Sequence, residues 1–125
     1  MKKFETTAYT MLIHDSRLIE FKVKKDITLK AADIWESRDQ SLEYMPGKKF
    51  CVLMESEGIF YPAADAREAG ASEEYTKHVN AVAMFSHRKY ESVIGNLYLK
   101  LNKPRVPTRF FDNRQTALDW LHQYL

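Results

Sequence analysis

The chain has one cysteine, four glycines and four prolines among its 125 residues. A single cysteine cannot close an internal disulfide, so Cys51 suits a reducing compartment. So little Gly and Pro argues against disorder and low complexity. Long apolar runs are also missing. Nothing approaches the roughly 18 consecutive apolar residues of a membrane-spanning helix, so no membrane insertion is expected. The opening MKKFETT begins like a secretion signal, but the apolar stretch at 9–13 is short and leads into His14-Asp15. A cytoplasmic protein is expected. There is no large excess of charge of either sign. Nineteen bases against seventeen acids leave +2, too little to imply a nucleic-acid or membrane partner by itself.

What is present is material for a core. Hydrophobic residues make up 45% of the chain, with seven Phe, seven Tyr and two Trp. The length fits one domain spanning residues 1–125.

Residues 7–14 and 18–24 both alternate apolar and polar, and the polar stretch 14–17 joins them. This pattern predicts an antiparallel hairpin with one wet face. Lys22 and Lys24 suit an exposed or edge strand. Thr28 is a candidate cap for a helix running to Tyr44, with Ala31, Ile34, Trp35, Arg38 and Leu42 on one stripe. Pro46-Gly47 ends it. The apolar run at 50–54 predicts a strand buried on both faces. Residues 63–75 predict one or two short helices broken near Gly70, and 79–85 a second buried strand. Ser86 is a candidate cap for a helix reaching Leu101. Its stripe of Tyr90, Val93, Ile94, Leu97, Tyr98 and Leu101 is expected to pack inward. Gly95 inside that helix costs about 1 kcal/mol relative to Ala, which a close approach to the sheet would explain. Asn102 and Pro104 stop the helix. Pro107 marks the start, or an edge position, of a strand at 106–111. Asp112 with Gln115 reads as a capping-box variant, and the last helix should bury Ala117, Trp120, Leu121 and Tyr124.

The resulting order is ββαβαβαβα. Alternating strands and helices require right-handed crossovers, so the expected fold class is α/β. An antiparallel N-terminal hairpin joins parallel strands in a mixed sheet flanked by helices.

The segments IGNL at 94–97, NKPRVPTRFF at 102–111 and ALDWL at 117–121 resemble the C-terminal signature of bacterial SpoIIAA-like proteins. These are small STAS-related domains, akin to anti-sigma-factor antagonists. The signature covers about the last third of the chain, and the element order agrees throughout. The resemblance implies no cofactor, and partner binding rather than catalysis. Antagonists of this kind are switched by phosphorylation of a serine in a turn where the central strand's loop opens a helix. The corresponding position here is Ala64-Asp65, which offers no hydroxyl, so the switch is not carried over. Asp65 would supply a permanent charge, though a smaller one than phosphate.

Charge is unevenly distributed. Residues 55–77 hold six acids and two bases, whereas 88–109 hold six bases and one acid. Lys100, Lys103, Arg105 and Arg109 form a candidate partner surface; the plainer reading is a solvated helix face and loop. Nucleic acid is not the expected partner, since no binding motif accompanies the charge. Ligands of parallel sheets bind beyond the strands' carboxyl ends. Ser86, His87, Arg88 and Lys89 lie there and make a candidate anion site; the plainer reading is a serine cap beside exposed bases. Phe60 and Tyr61 form an apolar step that, if exposed, suits a docking or dimer surface; the plainer reading is that they fold back over the sheet edge. The four histidines have no metal-ligand spacing, so no metal site is expected. Cys51 sits in the apolar strand and reads as a buried structural residue rather than a nucleophile. The expected function is a non-enzymatic STAS-like regulatory module that binds a protein, a second copy of itself included. The alternative is a domain that binds an anionic or amphipathic small molecule at the strand carboxyl ends.

Overall fold

A computed structural model describes residues 1–56 and 63–125. The strands are β1 (Lys2–Glu5), β2 (Tyr9–Ile13), β3 (Leu18–Val23), β4 (Phe50–Ser56), β5 (Val79–Phe85) and β6 (Thr108–Phe111). The helices are α1 (Ala31–Tyr44), α2 (Ala64–Ala71), the single turn α3 (Glu73–Thr76), α4 (Lys89–Leu101) and α5 (Arg114–Leu121). The strands lie in sequence order in one sheet. β1, β2 and β3 pair antiparallel, and β3 to β6 pair parallel. The fold class is therefore the mixed α/β sheet expected from the sequence, with one added strand. In β1 only Phe4 packs against the core, so its sequence carries almost no alternating signal.

Each parallel connection steps one strand in the same direction. The right-handed rule then places successive crossovers on one side of the sheet. Alternation along the strands divides the apolar residues between two cores. On one face Tyr9, Met11, Ile13, Ile19, Phe21 and Val52 pack with Ile34 of α1 and Ala66 and Ala69 of α2. On the other, Leu18, Cys51, Leu53, Ala81, Ala83 and Phe85 pack with Ala117 and Leu121 of α5. β4 is buried on both faces as predicted, with Phe50, Cys51, Val52 and Leu53 all inside. Tyr9 stacks on Phe21 with ring centroids 4.6 Å apart.

Several local expectations are corrected. β3 is an interior strand rather than an edge; Lys22 is exposed on it, and Lys24 lies just beyond its end. Thr28 does not cap α1; the helix opens after Lys30, whose N–H donates to Asp33 Oδ2 at 2.9 Å. Neighbouring Leu29 is 1% exposed, and its burial fixes where the chain can turn into the helix. Asn113, not Asp112, caps α5 by accepting from the Thr116 N–H at 2.9 Å. Gln115 reaches forward to Asp119 instead. β6 begins just after Pro107 and is an edge strand, as the proline suggested.

Candidate functional site

The inner side of α4 is set by two neighbouring residues. The Asn96 side chain donates from Nδ2 to the Phe110 carbonyl at 3.0 Å, and its Oδ1 accepts from the Phe110 N–H at 2.9 Å. One amide thus satisfies both backbone groups of a residue on the edge strand, a common way of protecting an edge. Gly95 meets the ring of Phe110, where an added Cβ would come within 2.5 Å of the ring carbons. The close approach expected of this glycine is made, with a side chain rather than the sheet backbone.

These contacts fix the rotation of the helix. With 3.6 residues per turn, a helix seated on Gly95 and Asn96 turns its apolar stripe away from β6. Tyr90, Val93, Ile94, Leu97, Tyr98 and Leu101 are each between 53% and 78% exposed. The expectation that this stripe packs inward is therefore overturned. Gly95 takes the position against β6 because the ring of Phe110 leaves no room there for a Cβ. Together the six side chains present on the order of 700 Å² of largely apolar surface, above the ~300–600 Å² of the largest patch on a typical monomer.

The predicted anion residues are arranged differently from the expectation. α4 opens after Arg88, not Ser86. The Ser86 hydroxyl instead accepts from the Arg88 N–H within its own loop at 3.2 Å. The Arg88 guanidinium reaches Tyr90 Oη at 3.4 Å and Glu91 Oε1 at 3.8 Å. The His87 side chain is 78% exposed, with Nε2 3.9 Å from Glu55 Oε1. Lys89 opens the helix.

The predicted basic surface is divided. Lys100 lies on α4, and Lys103 is exposed just beyond it. Arg105 donates to the Ala71 carbonyl at 3.2 Å and ties the loop to the end of α2. Arg109 lies over the Phe111 ring at 5.2 Å, and alternation along β6 directs both away from the Phe110 side of the strand. Ala64 and Asp65 form the exposed first turn of α2. Phe60 and Tyr61 lie outside the described residues.

The opposite face holds a cavity of about 110 Å³ bordered by Thr10, Glu20, Lys22, Leu53, Glu55 and Phe85 among others. That is well below the ~300–1,000 Å³ of small-molecule sites. Beside it, Glu20 Oε2 pairs with His14 Nε2 at 2.6 Å, and Glu20 Oε1 accepts from Arg114 of α5. Burial pushes the Glu20 carboxyl up, but the Arg114 and His14 hydrogen bonds outweigh it and hold the group below the usual carboxylate range. The arrangement braces α5 against the hairpin. Burial raises the Cys51 thiol to about 11, which leaves essentially no thiolate near neutrality. Among the described residues, no group of three or more His, Cys, Asp or Glu is placed to hold a metal. No described helix is long and apolar enough to cross a membrane.

A family model, a domain of unknown function designated DUF7793, matches residues 11–125. The chain belongs to the DUF7793 family. No curated protein matches it. Among solved structures, the DUF7793 chain is similar to an uncharacterised DUF3478-family protein of Shewanella loihica PV-4, described as having a SpoIIAA-like fold. The TM-score is 0.60 at 18% identity, over 91% of this chain and 92% of that one. The resemblance seen in the C-terminal segments extends to the whole architecture, and the DUF7793 chain has a SpoIIAA-like fold.

The sequence groups the residues of the α4 stripe correctly on one side of the helix, and the expectation errs only in turning that side toward the sheet. The overlooked signal was the opposite side. Ser92, Gly95, Asn96 and Leu99 include no charge, whereas a solvated helix side normally carries several.

Proposed function

We propose that residues 1–125 form one non-enzymatic, cytoplasmic regulatory domain of the STAS type, which binds a protein through the outward face of α4. The observation carrying this reading is the exposed stripe from Tyr90 to Leu101. Apolar surface of that extent, displayed on a regular helix, suits a helix-face contact with anchors at i, i+3, i+4 and i+7. Lys100 and Lys103 stand at one end of it, where they would orient a partner more than hold it. Two features among the described residues support binding over catalysis: a protonated, buried thiol at Cys51, and histidines that form no metal-holding cluster of three or more with Cys, Asp or Glu side chains. The absence of a hydroxyl at Ala64-Asp65 points to control by occupancy of the contact rather than by a phosphate at that turn.

Site-specific photocrosslinking in cells tests the reading. A benzophenone amino acid placed at Leu97 should give a protein adduct. The same group at Glu68, exposed on α2, should give none. No adduct from position 97, or equal adducts from both, would count against a protein contact on this face.

A further inference from the structure

The occupant of the α4 face can be taken further, on the reading that this face is a protein contact. We propose that it is a second copy of this chain, docked helix to helix with the two α4 elements antiparallel across a two-fold axis.

Three features of the stripe carry the proposal. The first is area. Burying most of the stripe from both copies removes roughly 1,000–1,400 Å² in total, which reaches the lower part of the range for stable specific interfaces. The second is spacing. The positions 90, 93, 94, 97, 98 and 101 read the same in either direction along the helix. A reversed second helix therefore sets Tyr90 against Leu101, Val93 against Tyr98 and Ile94 against Leu97. A tyrosine meets a branched aliphatic at the two outer levels and two branched aliphatics meet at the centre, so the patch can satisfy itself, as a two-fold interface requires. The third is charge. α4 carries only Lys89, Lys100 and Glu91, and Glu91 lies 3.8 Å from Arg88. The six stripe residues are themselves uncharged, and the bases Arg88, Lys100 and Lys103 stand toward its ends, so repulsion between copies is small. Opposite the stripe, Gly95 and Asn96 already hold the helix on β6, so each copy presents the face without rearrangement.

Sedimentation of the full chain from about 1 to about 200 µM is the test. The wild type should shift from monomer to dimer across that range. I94E/L97E should remain a monomer throughout. Adding salt should leave the wild-type dimer intact or strengthen it, because apolar association is not screened. A mixture of Y90C and L101C should form the mixed disulfide in preference to either symmetric one, which reports the antiparallel register. Cys51 is buried and does not compete.

A wild type that stays monomeric at 200 µM, or an I94E/L97E variant that still dimerises, overturns the proposal. So does a monomeric wild type that binds phosphatidylglycerol vesicles while the variant does not. If the wild type is monomeric but Leu97 still crosslinks to a different protein, the second-copy proposal falls and the protein-binding reading stands. If neither a dimer nor an adduct forms, both fall.

Discussion

Gly95 of α4 lies against the ring of Phe110 on β6, close enough that a Cβ would come within 2.5 Å of it. That contact decides which way a 13-residue helix faces. Substituting Gly95→Ala should gain about 1 kcal/mol in helix propensity and lose about 1–3 kcal/mol through overpacking against the ring. The expected net effect is destabilisation of about 1 kcal/mol, read from urea unfolding. The loss should shrink in a Phe110→Leu background. A variant stabilised by nearly the full propensity gain would show that α4 is not seated on Phe110.

The brace between Glu20, His14 and Arg114 should appear in the acid limb of stability. The folded carboxyl of Glu20 lies below its ordinary value. Its contribution is therefore fully present above the unfolded value, near 4.3, and is lost as pH falls through the lower folded value. Glu20→Gln should cost about 1 kcal/mol at neutral pH, since Arg114 is half exposed and screened. It should also flatten the stability profile between about pH 5 and pH 3. An unchanged slope in that window would contradict the pairing.

Tyr9 donates its buried hydroxyl to Glu36 Oε1 at 2.8 Å, with Gln40 Oε1 at 3.2 Å. Burial and the Glu36 hydrogen bond raise the Tyr9 pKa. Tyr9→Phe keeps the ring on Phe21 and loses only the link from β2 to α1. A cost of about 1–2 kcal/mol in urea unfolding is expected, because the acceptor is charged, with no change in self-association. A cost under 0.3 kcal/mol would place the hydroxyl in water.

Cys51 should be silent toward thiol reagents in the folded chain, being fully buried and raised to about 11. Labelling by an aromatic disulfide at pH 8 should occur only at the rate of opening, and rapidly in 6 M guanidinium. Immediate labelling of the native chain would mean that β4 is accessible.

Every strand of the sheet but β1 was legible from sequence because its signals are local. Alternation marks β2 and β3, and continuous apolar runs mark β4 and β5. Pro107 delimits β6. Helix starts were less legible. Thr28, Ser86 and Asp112 are all good caps by residue type, yet Lys30, Arg88 and Asn113 occupy the cap positions. Burial of Leu29 and the end of β5 decide where the chain turns, and tertiary packing overrides cap preference at that scale. The candidate site was legible as a set of residues and not as a surface. Periodicity reveals that six apolar side chains share a side of α4. It does not reveal whether the sheet or the solvent lies on that side. Here the answer came from Asn96 and Gly95, whose roles appear only once Phe110 is in place beside them.

The most direct test is the stability of Ile94→Glu/Leu97→Glu, measured by urea unfolding at about 1 µM, where association contributes little. With the stripe facing solvent, two charges should shift stability by no more than about 1 kcal/mol. A loss of several kcal/mol, as for charges forced into a core, would mean that α4 packs inward and that its outer face is no contact surface.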